Sequence, residues 1–446
     1  MYKLAGGVII FLLLLVSKTE AQSTMSFKTI DSISYNYYQK QNWDSLIYLK
    51  NQLDGSEVDY FYLRMRFGIA YFEKNKFNKS TEEFKKALEF NALDSLAKEY
   101  LYYSYLYNVK EGEAKLVEPE RLRKKQIIDA VYVELGPTFS NNNKTNQTAI
   151  IDNSQGIYEQ IDLSKDETYL HLGLKHQLTK RISVYHGYSN IGINRTKQML
   201  INGSVVTDNY YLKQQDYYIN VNWYLGKGFS VTPFFHYLYV DYEKLNAYEE
   251  LPVGSDHYSF YKTTTTLKDY VVGLSIDKRM GIFNLNLNGM YSSINYTTGT
   301  QLGLALTYYP FGNTNFWGST SITKAGYKSP SFSTQKGIGG PPLVFGQSLG
   351  VSLFKKAWIE GNYTLGTLAN FSENNAFVVY NSTDKIVNKW NISLTIPINK
   401  KIEAKLGYSF YNYQSSYMSC DTEETFTIKP TKYENQSIIG GIKWKL

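Results

Sequence analysis

The sequence predicts an α+β, two-part chain: N-terminal α-helical repeats followed by a 14-stranded antiparallel transmembrane β-barrel. Three observations predict it. The apolar period changes from helical to strand-like after a charged stretch at residues 118–126, the connections of the second part alternate between short and long, and the chain opens on an export-type leader.

Residues 1–21 read as a signal peptide. The apolar run at 5–16 is too short to span about 30 Å of hydrocarbon, and Thr19 and Ala21 supply small residues for cleavage, so the mature chain is expected to begin at Gln22. No Cys stands directly after the cleavage point, which argues against a lipid-anchored start. No later segment has the run of apolar residues that a membrane-spanning helix needs. Composition points the same way. Tyr contributes 42 of the 446 residues and Gly 32, as expected where aromatic girdles flank a membrane and small residues fill a curved wall. The lone Cys420 excludes an intramolecular disulfide and any multi-Cys metal site. A net charge of +7 without a dense Lys/Arg block argues against nucleic acid as a partner. No metal or other cofactor is expected.

Residues 22–117 form the expected helical part, 118–127 a linker and 128–446 the barrel. Between residues 27 and 117 apolar residues follow the i, i+3, i+4, i+7 spacing with no Pro. Tyr37, Tyr71 and Tyr105 stand 34 residues apart, and Trp43 and Phe77 repeat the interval, which predicts stacked helix pairs. The middle unit carries Phe67-Gly68, Tyr71, Asn75-Lys76-Phe77, Ser80, Phe84 and Ala87-Leu88. On those residues it resembles a tetratricopeptide repeat. The outer units depart from it: Leu46 and Lys50 replace Ser80 and Phe84 in the first, and Glu111 and Glu118 replace Phe77 and Phe84 in the third.

From residue 128 the period is two. Leu170, Leu172 and Leu174 alternate with other residues, as do Phe283, Leu285 and Leu287 with Asn284, Asn286 and Asn288, and Ile392, Leu394 and Ile396 with polar neighbours. Each run reads as a strand of about ten residues, the length needed to cross a bilayer at a tilt. Short links are expected at 179–181, 226–228, 278–281, 311–315, 355–356 and 399–400, and long polar loops at 140–166, 194–208, 241–262, 292–299, 326–342, 372–384 and 414–430. That gives an even number of strands with both chain ends on the short-turn side, the habit of outer-membrane barrels. Gly441, Trp444 and Leu446 resemble the signal that barrel-assembly machinery reads on a final strand, and that machinery is an expected partner during biogenesis, as is outer-membrane lipid afterwards. The expected location is the bacterial outer membrane, with the helical part in the periplasm.

Function is less sharply written. The expected lumen face carries Glu134, Lys175, Glu360, Glu403, Lys405 and Lys443 with Asn220, Asn222, Asn284, Asn286, Asn288 and Asn362. Charges cannot face lipid cheaply, so they line water or one another, and their two signs argue against a narrowly ion-selective channel. In the helical part the repeat resemblance implies a partner-binding groove at Tyr62, Met65, Ile69, Phe72, Leu96, Tyr103, Leu106 and Tyr107. An apolar surface of that size is expected to be covered, by a periplasmic or envelope protein or by the linker itself. Ser32, Ser45 and Ser95 follow Asp and precede an aliphatic residue, a pattern similar to a bacterial O-glycosylation sequon; the competing reading makes the three Asp helix N-caps. Five His show no metal-ligand spacing, and His186 and Ser189 fall on opposite faces of one strand, so no catalytic residue is expected. The plan is similar to exopolysaccharide-export porins and the small barrels that accompany them. Three functions compete: an export or passage pore recruiting a periplasmic partner or cargo, a non-conducting scaffold of a secretion or assembly machine, and a lipid-modifying enzyme.

Overall fold

A computed structural model describes residues 25–53, 57–122, 127–152, 156–201, 203–249, 258–328, 343–354, 356–421 and 426–446. The expected signal peptide lies outside the described residues.

Helices come in pairs: α1 (Phe27–Gln39) with α2 (Trp43–Gln52), α3 (Phe61–Glu73) with α4 (Phe77–Phe90), and α5 (Ser95–Tyr107) with α6 (Glu111–Val117). The 34-residue interval has a backbone cause. Gln41, Asn75 and Val109 adopt left-handed φ of 53°, 57° and 56° at the three inter-helix turns. In each, the amide two helix-entry steps on (Asn42, Lys76, Lys110) donates to the carbonyl of Tyr37, Tyr71 or Tyr105 at 2.8–2.9 Å. One turn is thus built three times, the degenerate outer units included. Ser26 caps α1 and Asn42 caps α2 through side-chain oxygens. In the middle pair Phe84 fills the space left by Gly68, where a Cβ would stand 2.7 Å from the ring. Ile30, Leu46, Leu63, Phe67 and Ala70 form the core of this unit. The deeply buried carboxylate of Glu83 is paired with Arg64 at 2.8 Å, since an unpaired charge there would be costly. The Tyr60 hydroxyl, donating to Asp31 at 2.7 Å, and the Arg66 guanidinium hold the Asp31 carboxyl below its usual range. That contribution to stability is complete above the ordinary carboxylate range and is lost as pH falls through the lowered value.

The compact helical unit ends at Ser104; Tyr105 onward belongs with the barrel. The boundary lies earlier than residues 118–127, because α6 is fastened to barrel residues, as described below.

The barrel closes with fourteen antiparallel strands as expected: β1 (Ile128–Ser140), β2 (Gly156–Gln177), β3 (Ile182–Ile201), β4 (Ser204–Gly226), β5 (Phe229–Glu249), β6 (Tyr258–Met280), β7 (Phe283–Ile294), β8 (Thr297–Tyr308), β9 (Phe316–Lys328), β10 (Leu343–Leu353), β11 (Ala357–Leu368), β14 (Lys385–Pro397), β15 (Ile402–Asp421) and β16 (Phe426–Lys445). Two further strands, β12 (Phe371–Glu373) and β13 (Val378–Tyr380), form a separate hairpin. Period-two alternation puts Leu172, Leu274, Leu287, Leu304, Ile392 and Trp444 on the outside, all exposed, and the polar residues between them inside. Such an exterior suits hydrocarbon and leaves no open edge. The seam pairs β1 with β16, Val131 opposite Trp444 and Glu134 opposite Gly441. Gly136 permits it: a Cβ there would lie 1.9 Å from the Ile438 carbonyl oxygen. Leu446 completes the closure by donating its amide to the Asp129 carbonyl.

The wall is uneven in height. β2 to β6 run 20–23 residues, whereas β7 to β11 and β14 run 11–13. The expected ten-residue crossing fits the short wall only. Residues 194–208, 292–299 and 414–430, expected as loops, are mostly strand: β3 and β4 continue through the first, β7 and β8 turn at Asn295-Tyr296, and β15 and β16 extend through the third. Much of 140–166 and 241–262 is strand as well. Polar runs there mark departure from lipid without departure from the sheet. On the long-loop side β15 also pairs directly with β2, Met418 opposite Gln160, bypassing β1 and β16. Ile150, from a short helix (Ala149–Asp152), packs beneath with Ile161, Leu163, Leu200 and Tyr417.

Candidate functional site in the barrel lumen

The segment 369–384, of which 372–384 is expected as an outer loop, folds into the lumen. Its sequence explains the direction. Phe371, Phe377, Val378 and Val379 make it too apolar to sit in water, and the β12–β13 pairing gives it an internal ladder. The turn is strained: Asn374, Asn375 and Ala376 have φ of 53°, 55° and 60° in succession, a region that costs a non-glycine residue about 1 kcal/mol. Side chains of the barrel hold it. His236 Nδ1 donates to the Ala376 carbonyl at 2.6 Å, and the Tyr218 hydroxyl donates to that of Asn375 at 3.1 Å.

Against the tall wall the hairpin seals. Phe377 meets the rings of His171, Tyr185 and Tyr218 edge-on, with centroids 5.2–6.0 Å away. Ala376 is fully buried in a cluster with Tyr218, Phe234, Val271, Met290 and Ile294. Tyr185 lies near the short-turn end of β3, so the tip reaches deep into the barrel. The base is held by Phe371, buried with Val344, Leu368 and Ile386, and by polar side chains. Gln301 pairs with the Ser372 backbone as a strand would, accepting from its amide at 2.9 Å and donating to its carbonyl at 3.0 Å. Asn381 donates to Gln214, and Asn295 to Asn370.

Against the short wall the hairpin leaves a cavity of about 540 Å³, lined by Asn284, Asn286, Asn288, Asn362 and Asn391 on the strands and by Ser372 and Glu373 on the hairpin. Among the described residues one ion pair crosses it, Lys389 to Glu373 at 2.5 Å, with the Tyr380 hydroxyl donating to the same carboxylate.

At the short-turn rim α6 is pinned down. Gly112 lies on the Tyr224 ring, where a Cβ would come within 2.3 Å. Lys180 Nζ donates to the Leu116 carbonyl and Arg279 to that of Asn108, both at 3.3 Å. Arg279 also stacks on Tyr309.

The twelve residues expected in the lumen take these places. Asn284, Asn286, Asn288 and Asn362 line the cavity. Asn220 donates to the Tyr218 hydroxyl and Asn222 to Thr232. Lys175 faces Asp129, and Glu403 pairs with Lys443 and Lys445 near the short-turn end. Glu134 stands opposite His171, Glu360 opposite Ser393, and Lys405 opposite Thr395 on the same inward register. The expected groove is narrower than drawn: Tyr62, Leu96 and Tyr107 are exposed, but Met65 and Ile69 are buried and Phe72 packs edge-on against Phe77 and Tyr100. Of the three Asp-Ser pairs, Asp94 is a true cap, accepting from the Ala97 amide at 2.7 Å. Asp31 and Asp44 lie inside helices, so the cap reading fails for them. Ser32 and Ser95 are exposed and Ser45 is half-buried. Among the described residues no group of His, Cys, Asp and Glu is arranged to hold a metal ion.

Sequence reasoning missed the histidine that does meet Ser189. It is His171, one strand away, with Nδ1 2.9 Å from Ser189 Oγ and Nε2 2.6 Å from the Tyr185 hydroxyl. His186 instead stacks on His176, across the strand pair.

No protein-family model matches the chain, and no curated protein does. Among solved structures it is similar to the toluene transporter TodX of Pseudomonas putida, with TM-score 0.45 and 8% identity over 75% of this chain and 92% of that one. A FadL homologue of Pseudomonas aeruginosa gives TM-score 0.43 and 7% identity over 72% and 90%. The translocator domain of the autotransporter NalP of Neisseria meningitidis gives 0.31 and 10% over 73% and 90%. This chain is a fourteen-stranded barrel preceded by helix pairs, with a hairpin between β11 and β14 in its lumen.

Proposed function

We propose that the protein is an outer-membrane passage barrel for a polar solute, closed in its resting state by the 369–384 hairpin. Its helical unit faces the periplasm and docks an envelope partner or the cargo itself. The observation that carries the reading is the hairpin's attachment. Among the described residues it joins the barrel through side-chain contacts and two ion pairs, Lys389 to Glu373 and Arg195 to Asp384, not through the strand ladder, so it can leave without breaking the wall. A polar cavity already stands beside it, and the strained turn at Asn374–Ala376 favours release once the wall contacts are lost. The tetratricopeptide-like pairs supply the docking surface in this reading, with Tyr62 and Leu96 exposed on the helical unit.

Planar-bilayer recording tests this. Full-length protein is expected to conduct rarely. Replacing residues 370–382 with a short Gly-Ser turn is expected to give stable, several-fold larger steps. A correctly assembled, heat-modifiable deletion variant with no conductance would overturn the passage reading. The filled lumen also fits a second reading, a non-conducting scaffold of an envelope machine, which that silent outcome, together with stable co-purifying partners, would favour.

A further inference from the structure

The short-wall cavity has a chemistry that nothing so far explains. Its strand side is an array of neutral amides with an imposed orientation. Asp277 accepts from Asn284 and Asn286 at 3.1 and 2.9 Å, and the Asn286 oxygen accepts from Asn288 at 3.1 Å. Across the cavity Asn362 donates to Asn391. Each amide offers two donor hydrogens and an oxygen with two lone pairs, and these bonds use only part of that capacity. Asn286 spends both donor hydrogens, on Asp277 and Ser275, so the remaining donors and acceptors lie mainly with the other lining amides, Asn284, Asn288, Asn362 and Asn391. Fixed charge is sparse: Lys389 and Glu373 neutralise each other, and the one remaining carboxylate, Asp277, has two of its lone pairs taken by amides.

Each ligand class can be weighed against this lining. An inorganic ion would need one sign concentrated at the site. A hydrocarbon would need an apolar wall, since desolvating oriented amides without replacing their bonds is costly. A neutral polyhydroxylated molecule satisfies both demands, because every hydroxyl donates and accepts in the same small space. Tyr380 and Tyr411 add aromatic rings, and a volume of about 540 Å³ suits a few sugar rings. We propose that the cavity is a binding site for a neutral oligosaccharide held between the amide wall and the hairpin. The inference deepens the passage reading by naming its solute class. A sugar there touches Ser372 and Glu373, so its binding bears directly on the hairpin that closes the lumen.

The test is calorimetric titration of detergent-solubilised full-length protein, hairpin intact, with maltotriose, cellotriose and mannotriose. Trigalacturonate and polyethylene glycol of matched mass serve as comparators. Saturable binding of at least one neutral trisaccharide is expected, with neither comparator binding. Asn391→Ala is expected to weaken it by about tenfold, the effect of one or two lost buried hydrogen bonds, and Asn286→Leu with Asn391→Ala to abolish it. Leu304→Val, on the outward face, is expected to leave it unchanged. Heat-modifiability and far-UV circular dichroism identify folded variants, and Asn362→Ala replaces any that misassembles. The proposal is overturned by absence of binding across the neutral panel, by equal binding of trigalacturonate or the glycol, or by unaltered affinity in the folded double variant. The passage reading fails separately: a deletion barrel that conducts while the intact protein binds no sugar sinks only this inference, and the converse sinks only the passage.

Discussion

The tall and short walls of one barrel treat the same hairpin differently. β3 to β6 offer it rings and aliphatic groups, Tyr185, Tyr218, Phe234 and Val271, and Phe377 and Ala376 close against them without a gap. β7, β11 and β14 offer amides around the cavity, which the Lys389–Glu373 pair crosses, while beside it Phe371 packs on Val344, Leu368 and Ile386, and Met290 and Ile294 of β7 join the cluster around Ala376. Both faces come from inward positions of period-two strands, so alternation alone does not separate them. The difference lies in which residues fill those positions. Under the proposed function the rings at the tip carry most of the closure and the amides most of the solute recognition, which divides the expected effects of mutation.

The comparison breaks hardest on the tall side. Phe377→Ser removes a packed ring with three edge contacts, a loss of about 3 kcal/mol of docking free energy, or roughly a hundredfold in the ratio of docked to released hairpin. Open probability in planar bilayers should approach that of the hairpin deletion. Wild-type behaviour would show that the tall wall does not carry closure.

On the short side the expected effect is smaller. Lys389→Met leaves the Glu373 carboxylate with the Tyr380 and Thr364 hydroxyls but no cation. Water in the cavity screens part of the loss, so about 2 kcal/mol is expected, below the cost of a fully buried orphan. Open probability should rise less than in Phe377→Ser, and Lys389→Met combined with Glu373→Gln should restore much of the closure. An effect exceeding that of Phe377→Ser would invert the division between the walls.

How much of this was legible in the sequence follows from the range of the interactions. The 34-residue period was visible because each turn is local: Tyr37, Tyr71 and Tyr105 mark carbonyls that accept from amides five residues on. Inward placement of Asn284, Asn286 and Asn288 was visible because alternation needs only neighbours in the chain. The hairpin was hidden because its partners, His171, Tyr218, His236 and Gln301, sit on four other strands. One signal did point to it. Phe371, Phe377, Val378 and Val379 are out of place in a solvated loop, and apolar content in a long connection deserved as much weight as its length. Strand height was misread for a related reason, since a polar run ends the lipid contact of a strand but not its ladder. The His171–Ser189 contact required cross-strand register, which alternation within one strand cannot supply.

The finest test concerns the strained turn. His236 Nδ1 donates to the Ala376 carbonyl, and Ala376 itself holds a φ of 60°. His236→Phe keeps the ring volume in the cluster beside Tyr218 and removes that donor alone. The carbonyl then has neither this bond nor water at the sealed face, a cost of about 1 kcal/mol. Because the turn is strained, that cost falls on the docked state and not on the released one, where Ala376 is free to return to an ordinary conformation. Open probability should therefore rise by a few-fold, less than with Lys389→Met, while saccharide affinity at the opposite wall stays within error of wild type. A loss of sugar binding in this variant would mean that the two walls act as one site, and the division between closure and recognition would have to be given up.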